Sequence, residues 1–235
     1  MAEVRRKRGR ERVYDAQRTR EAMLNAAEAV FAEHGFDGAS MDAIAARAGY
    51  NKSLLFQYFS DKLNLYTEVL KRADKDMSEL LVRVFTPGLL DETITSDAHR
   101  WRDFLRTTFG SFFDYMVEHP YLMRMFNWEQ AEGWQTFAKI ASQFEPDDLA
   151  RLETLFSRAR RAGLLRANLD ITVMIAMVEQ ICWSVPAALP LYQMLLAKED
   201  SSSSTVLAHV REQILDLLIA GITGDSGNEH MGEKR

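Results

Sequence analysis

The chain has 235 residues, 47% of them hydrophobic and 27% charged, a balance that is ordinary for a folded globular protein. Its 12 glycines and 5 prolines are few, and its apolar residues recur at helical rather than alternating spacing. The single cysteine, Cys182, excludes an internal disulfide, and no apolar run follows the basic N-terminus as a secretory signal requires. We therefore expect an all-α protein of the reducing cytoplasm.

The formal net charge of −5 is unevenly distributed. The first 72 residues carry 13 Lys and Arg against 10 Asp and Glu, and the remainder is acidic. Residues 1–18 are strongly basic and lack apolar periodicity, so they are predicted to form a flexible basic arm, either a solvated tail or a segment that follows a DNA backbone. A basic end on an acidic body favours contact between the N-terminal part and a polyanion.

Helical signals begin after the arm. Apolar residues at helical spacing predict a first helix over about residues 19–34, and Gly35 stands where a helix-ending glycine is expected. Ser40 is placed to cap a short second helix, which Gly49 ends. A third short helix follows almost at once.

The rest of the chain also has helical spacing. Ser60 is predicted to cap a fourth helix that persists to about Phe85, before a break at residues 86–97. Further helices are predicted over residues 98–118, 121–131, 134–144, 147–162, 170–197 and 205–222. The run 171–197 is long enough to span a membrane, but two prolines and Glu179 within it favour a kinked, buried helix. The last residues are predicted to be a disordered tail.

The stretch AGYNKSLLFQYFSDK, residues 48–62, has polar side chains on most of its surface. Two short helices joined by a tight glycine turn, the second held by few apolar residues, have the geometry of a helix-turn-helix. Such a second helix fits the major groove, where its N-terminal residues reach base edges. The alternative is an ordinary antiparallel helix pair in a bundle, and the basic arm favours the DNA-binding interpretation.

The segment TREAMLNAAEAVFAEHGFDGASMDAIAARAGYNKSLLFQYFSDKLNLYTEVL resembles the DNA-binding domain of the TetR family of bacterial transcriptional regulators. The shared pattern is F-x-x-x-G-F, then S/T-x-x-x-I-A-x-x-A-G, a short recognition helix, and a closing aromatic-x-x-F-x-x-K. The resemblance implies an N-terminal three-helix DNA-binding domain over 19–63 and a larger helical domain for effector binding and dimerisation over 64–222. The arm, 1–18, precedes them and the tail, 223–235, follows.

The resemblance also implies roles for residues in this segment. Ser40 and Lys62 are expected to bind phosphates. The residues expected to face bases or the adjacent backbone are Asn51, Lys52, Ser53, Gln57 and Tyr58, and the arm adds Arg5, Arg6, Lys7 and Arg8. Phe56 departs from the family, which usually has a tyrosine there with its hydroxyl on a phosphate. Leu54 stands where a small or hydroxylated residue is common, and we interpret it as packing on a thymine methyl.

The final helix carries more apolar surface than one core requires. Its apolar residues cover an arc of roughly 220°, whereas a helix that faces one core needs only about 100°. The excess predicts a second copy of the chain as partner, and the resemblance implies a homodimer built on the last two large helices and a near-palindromic operator. The predicted interface residues are Ile181, Val185, Val210, Ile214, Leu217 and Leu218.

Aromatic residues and methionines are dense between Trp101 and Tyr192. Each is individually more typical of a core than of a pocket, but together they suit an adaptable apolar cavity. The predicted pocket residues are Phe109, Phe113, Met116, Phe126, Trp128, Trp134, Met177, Glu179 and Trp183. Glu129 and Gln180 are further candidates for its polar groups. Alternatively to lining the pocket, Glu179 forms a salt bridge or hydrogen bond across the dimer interface.

The leading hypothesis is a repressor that a small apolar or aromatic ligand releases from its operator. Two alternatives stay open: a DNA-binding regulator without an effector, and a helical enzyme or membrane-surface protein. The sequence contains no Gly-rich phosphate loop, HExxH or CxxC, and its five histidines are scattered. We therefore predict no catalytic residues, no metal site and no cofactor.

Overall fold

The computed structural model of the chain describes the backbone of residues 2–144, 147–196 and 202–223, and the side chains of 14–144, 152–196 and 202–223. Over these residues the fold is all-α, with one isolated antiparallel bridge between Leu165 and Thr223. The helices are α1 (Ala2–Gly38), α2 (Met41–Ala48), α3 (Lys52–Tyr58), α4 (Lys62–Leu90), α5 (Ala98–Glu118), α6 (Pro120–Ala131), α7 (Gln135–Ile140), α8 (Asp147–Arg161), α9 (Ile171–Leu195) and α10 (Ser203–Ile222). Short 3₁₀ turns lie at Glu92–Thr95 and Ala141–Gln143.

The first compact unit consists of Met1–Asp76 together with Tyr121–Phe144. Its core is formed by the apolar stripe of α1, which includes Phe31, and by Tyr66 of α4, whose ring meets the Phe31 ring edge to face at 4.9 Å. Hydrogen bonds also join α1 to α4. Arg72 donates to Asn25 at 2.7 Å and to Glu28 at 2.6 Å. These bonds hold α1 and α4 together at the edge of the apolar core.

The second compact unit consists of Met77–Pro120 together with Glu145–Arg235. Its core contains Trp101 of α5, Phe156 of α8 and Cys182 of α9, all fully buried. Arg211 of α10 makes a bidentate ion pair with Asp114 of α5, at 2.8 and 3.0 Å. Helices α5, α9 and α10 therefore pack through apolar residues inside and charged residues at the rim.

The two units differ from the predicted boundaries at 19–63 and 64–222. The segment Tyr121–Phe144 folds with the N-terminal helices although residues 77–120 separate the two parts in sequence. Its anchors include Trp128, whose Nε1–H donates to the carbonyl of Ala32 at 3.2 Å. Helical periodicity describes neighbours within one helix, so it does not reveal such a pairing.

Three predicted helix boundaries were wrong. α1 begins at Ala2 rather than near Thr19, so the predicted flexible arm is helical backbone; its Arg, Lys, Glu and Ala residues favour helix without needing an apolar face. α4 continues through Pro87 to Leu90, past the predicted end near Phe85. Its N-terminal cap is Asp61 instead of Ser60, because the Asp61 carboxylate accepts the N–H of Asn64 at 2.8 Å.

Other predictions agree with the structure. The backbone leaves helical geometry at Gly35, where φ is +68°, as the helix-ending glycine predicted. α5 and the last two helices have nearly the predicted bounds. The predicted tail lies outside the described residues except for Thr223. Within the described part, α9 is long and apolar enough to cross a membrane by length and composition alone, with a mean hydropathy of 1.5.

Candidate nucleic-acid interface

Helices α2 and α3 are joined by a short turn that three residues define. Ser40 caps α2, its side chain accepting the N–H of Ala43 at 3.1 Å. Gly49 ends α2 in the left-handed conformation, with φ at +76°, which a residue with a side chain rarely adopts. Asn51 caps α3, and its Oδ1 accepts the N–H of Leu54 at 2.7 Å. The predicted helix-turn-helix geometry is therefore present.

The third helix has one buried side and one exposed side. Leu55 is fully buried, and Phe59, the residue that caps α3 at its C-terminal end, is 1% exposed. The exposed residues are Lys52, Ser53, Phe56 and Gln57, while Leu54 and Tyr58 are half-buried. Two apolar anchors thus hold α3, and its outer face is free to contact another molecule.

The cations around the turn are already engaged within the protein. Lys52 forms an ion pair with Asp42 at 2.8 Å, and both side chains are largely exposed. Arg47 contacts both carboxylate oxygens of Glu33, at 2.7 and 2.8 Å. Exposed pairs of this kind contribute only about 0–1 kcal/mol, so a DNA phosphate competes with them at little cost.

Lys62, which is predicted to bind a phosphate, contacts the chain's own backbone in the structure. Its ammonium donates to the carbonyls of Phe36 and Ala39, at 2.8 and 3.1 Å, and lies 4.5 Å from the centre of the Phe36 ring. It also reaches the carbonyl of Asp37 at 3.4 Å. Lys62 therefore stabilises the C-terminal end of α1, and a phosphate would have to displace one of these bonds.

Two groups of predicted DNA contacts remain expectations. The side chains of Arg5, Arg6, Lys7 and Arg8 lie outside the described residues, although their backbone belongs to α1. Ser40, Asn51 and Ser53 are exposed, but the side-chain oxygens of Ser40 and Asn51 serve as helix caps. The amide nitrogen of Asn51 remains available to an acceptor, and the Ser53 hydroxyl to a donor or an acceptor.

The nine predicted pocket residues are divided between the two compact units. Phe126, Trp128 and Trp134 belong to the first unit, and the other six belong to the second. Within the second unit, Met177 is 59% exposed, whereas Phe113 is 1% exposed. The structure has instead a shallow apolar groove of about 150 Å³ in the second unit, lined by Leu81, Val82, Phe85, Thr86, Leu89, Leu90 and Leu152. None of the nine predicted residues lines this groove.

Glu129, considered as a polar group of the pocket, has a structural role in the first unit. The carboxylate is 1% exposed; it accepts the hydroxyl of Tyr66 at 2.7 Å and the N–H of Phe137 at 3.0 Å. Burial, and then the hydrogen bond and charge of Glu129, raise the pKa of Tyr66 far above its usual value. Both carboxylate oxygens therefore have protein donors already.

Sequence reasoning missed two buried donors in the second unit. Trp101 and Thr108 lie seven residues apart on α5, and both side chains are at least 98% buried. Neither the Trp101 Nε1–H nor the Thr108 hydroxyl has a hydrogen-bond partner among the described residues. A buried donor without a partner costs about 1–3 kcal/mol, so such atoms mark places where water or a ligand acceptor is favourable. In the sequence, the only sign of this pair is the seven-residue spacing of Trp101 and Thr108, which is also typical of two ordinary core residues on one helix.

Three of the six residues predicted for the dimer interface are buried within the single chain. Val185, Val210 and Leu218 are 0%, 6% and 8% exposed within one chain. The wide apolar arc of the last helix is thus partly explained by packing against α5 and α9. Of the other three, Leu217 is 70% exposed, whereas Ile181 and Ile214 are half-buried.

An exposed apolar surface lies on α9. Val173, Met177, Leu191, Met194 and Leu195 are 49–70% exposed and recur at helical spacing on its outer side. On the flank of this side, burial raises the pKa of the half-buried Glu179. Burial and the nearby Glu179 also raise the pKa of the Cys182 thiol to about 12, so this thiol stays protonated.

Among the described residues, no cluster of three or more His, Cys, Asp or Glu is placed to hold a metal ion.

Family models match two segments of the chain. Residues 23–69 match the bacterial regulatory proteins of the tetR family, and residues 102–218 match the tetracyclin repressor-like C-terminal domain. The first segment contains the whole helix-turn-helix described above. The second begins within α5 and ends within α10.

Known proteins that resemble the chain are bacterial regulators. The transcriptional repressor SCO4008 of Streptomyces coelicolor is 35% identical over 118 residues, which are 50% of this chain and 53% of that protein. The repressor NicS of Pseudomonas putida is 26% identical over 176 residues, 73% of this chain and 77% of that protein. The chain thus spans about half the length of the first relative. The prediction that the chain is not an enzyme agrees with these relatives.

Solved structures share the fold. The transcriptional regulator SCO4942 of Streptomyces coelicolor aligns with a TM-score of 0.60 at 25% identity, covering 87% of this chain and 98% of that chain. The ketosteroid regulator KstR2 of Mycobacterium tuberculosis aligns with a TM-score of 0.54 at 19% identity, covering 88% and 95%. The predicted all-α fold, with an N-terminal helix-turn-helix and a larger helical part, is confirmed. The chain belongs to the TetR family of bacterial regulatory proteins.

Proposed function

We propose that the protein is a DNA-binding transcriptional regulator of the bacterial cytoplasm, acting as a repressor. The observation that carries the proposal is the outer face of α3, where Lys52, Ser53 and Gln57 are exposed on a helix anchored by Leu55 and Phe59. A helix held in this way fits the major groove, and its amide and ammonium groups match base edges and phosphates. The regulatory names of the relatives support the same function.

The test is selection of DNA fragments by the purified protein, followed by titration of the selected sequence at 50 and 200 mM salt. If the dimer neutralises six to ten phosphates, affinity falls by about 10³–10⁵ over this range. Gln57→Ala is expected to weaken the selected site by about 5- to 150-fold while leaving non-specific binding unchanged. Lys139→Ala, an exposed charge change on α7, is the control and should leave the selected site intact. Failure to enrich any sequence at low salt would refute the proposal.

The proposed repressor is a homodimer on a near-palindromic operator. The exposed apolar side of α9 and the 70% exposed Leu217 of α10 support self-association, because a second copy buries such surface at once. Two-fold symmetry then brings one recognition helix to each half-site, about one DNA turn apart. A selected site without two-fold symmetry would contradict this arrangement.

A small apolar or aromatic ligand is proposed to release the DNA, and the two unpartnered donors on α5 support it. The Trp101 indole and the Thr108 hydroxyl lie in an apolar core, so an apolar molecule with hydrogen-bond acceptors satisfies them at low cost. Such a ligand must bind the DNA-incompetent state more tightly, or it releases nothing. A regulator without an effector is the competing proposal, and the tight burial of Phe113 and Met116 favours it.

A release assay separates the two. Aromatic and aliphatic ketones and carboxylic acids are screened for loss of the selected DNA complex and for a rise in melting temperature. A hit that Trp101→Phe weakens about fivefold or more supports a ligand in this core, since the substitution removes the indole N–H and part of the ring that would contact the ligand. If every compound that raises the melting temperature of wild type raises that of Trp101→Phe equally, the α5 donors do not bind these compounds.

A further inference from the structure

Phe56 is a large aromatic side chain on the exposed face of the recognition helix. It is 43% exposed, whereas its neighbour Leu55 is fully buried and Phe59 is 1% exposed. It lies about one helical turn after Ser53 on the outer side of α3, where the other exposed side chains are polar. The fold does not use this ring as an anchor, so its exposure calls for a second explanation.

The chemistry of the major groove restricts what such a ring recognises. A phenyl ring has neither a strong donor nor a strong acceptor, so it cannot read the amide, carbonyl and ring-nitrogen pattern of the bases. The apolar feature of an unmodified base pair in this groove is the C5-methyl group of thymine. Burying the ring against that methyl removes apolar surface of both from water.

We propose that Phe56 determines sequence specificity by packing on a thymine methyl in each half-site, next to the base contacted by Gln57. The inference rests on the proposed DNA-binding function and adds a base preference to it. It replaces the sequence-based assignment of this contact to Leu54, which is half-buried. Phe56 lacks the hydroxyl with which the family's usual tyrosine binds a phosphate, and its phenyl ring contacts a base instead.

The experiment uses the full chain and its selected operator. Each thymine of a half-site, with its symmetry mate, is replaced in turn by deoxyuridine, which keeps every hydrogen bond and removes only the methyl group. Binding is measured for wild type, Phe56→Ala and Leu54→Ala, and circular dichroism melting checks that each variant folds. Phe56→Ala should melt like wild type, because the side chain it shortens is exposed.

At one thymine position, replacement in both half-sites is expected to weaken wild-type binding by about 16-fold, about fourfold for each buried methyl group. Phe56→Ala should bind the thymine and deoxyuridine operators equally, and Leu54→Ala should discriminate as wild type does. Phe56→Tyr, which keeps the ring, should also keep the discrimination.

Three results overturn the inference. Wild-type binding that no deoxyuridine changes would show that no thymine methyl is read, while the selected operator would leave the proposed function standing. Equal discrimination by Phe56→Ala and wild type would assign the methyl to another residue, and its loss in Leu54→Ala alone would assign it to Leu54. Absence of any selected sequence would overturn the proposed function and this inference with it.

Discussion

Helices α3 and α9 both expose surface that an isolated chain does not use, but the two surfaces differ in chemistry. The outer side of α3 carries Lys52, Ser53 and Gln57, which water solvates well. The outer side of α9 carries Met177 and Met194, 59% and 70% exposed, which water does not. Apart from the exposed Phe56 ring, the outer side of α3 is therefore well solvated in a single chain, whereas the apolar side of α9 is unfavourably exposed until another surface covers it.

This difference indicates what kind of partner each helix has. Polar groups on α3 exchange water for base edges and phosphates, a balance that depends on sequence and salt. Apolar groups on α9 gain from any matching apolar surface, and a copy of the same helix is always present. Binding through α3 should thus be reversible and tunable, whereas binding through α9 should persist.

The largest effect is expected from a charge on the exposed side of α9. In Met177→Glu, a carboxylate without a partner would be buried if α9 pairs with its copy, which costs about 2–5 kcal/mol, or a rise in dimer dissociation constant of roughly 30-fold or more. The monomer should fold normally, because Met177 is exposed in the single chain. Analytical ultracentrifugation measures the dissociation constant. Ala167→Glu, also at an exposed position, is the control. An unchanged dissociation constant in Met177→Glu would show that this side of α9 is not the interface.

The next effect concerns a polar side chain that is buried instead of exposed. Glu129→Gln replaces one of two accepting oxygens by an amide NH₂, so that either the Phe137 N–H faces another donor or the buried Tyr66 hydroxyl loses its acceptor. We expect a loss of about 1–3 kcal/mol in the free energy of unfolding, measured by denaturant titration. Gln57→Ala, on the outer side of α3, should change it by less than about 0.5 kcal/mol. Equal losses of unfolding free energy in Glu129→Gln and Gln57→Ala would mean that the burial of Glu129 does not add to its effect on stability.

The helix-turn-helix could be predicted from the sequence because its determinants are local. Ser40, Gly49 and Leu55 act within a few residues, through a cap, a left-handed turn and a buried contact, and each was visible in spacing alone. The same reasoning missed the helical start of α1, where strong helix formers replace an apolar face.

The sequence did not reveal contacts between distant segments. Glu129 meets Tyr66 across 63 residues, and Trp128 meets Ala32 across 96. Periodicity shows that a helix has an apolar side, but it does not show which helix covers that side. Val185 was therefore assigned to the dimer interface, although it lies in the core of its own unit. The residues predicted to line one pocket are divided between the two units.

A smaller effect, of opposite sign, is expected at the edge of the DNA-facing surface. Asp42 holds the Lys52 ammonium at 2.8 Å, and its own charge opposes an approaching phosphate. Asp42→Asn should free Lys52 and strengthen DNA binding by about two- to fivefold, because an exposed pair of this kind contributes only about 0–1 kcal/mol. Fluorescence anisotropy at low salt measures the gain, which should shrink as salt rises. Weaker binding in Asp42→Asn would mean that the pair positions Lys52 for its contact.

The smallest effect is a pH-dependent stability difference on the flank of α9. Burial raises the pKa of Glu179, so the folded chain binds this proton more tightly than the unfolded chain does. Wild type therefore loses stability as pH rises through the unfolded value of about 4.3 towards the higher folded value, whereas Glu179→Gln does not. Glu179→Gln should be more stable than wild type at pH 7, and the difference should vanish below about pH 4. Urea titrations at several pH values measure it, with the exposed Glu153→Gln as control. A variant less stable than wild type at pH 7 would show that the ionised Glu179 has a partner in the dimer, which would make α9 less purely apolar than its exposed side indicates.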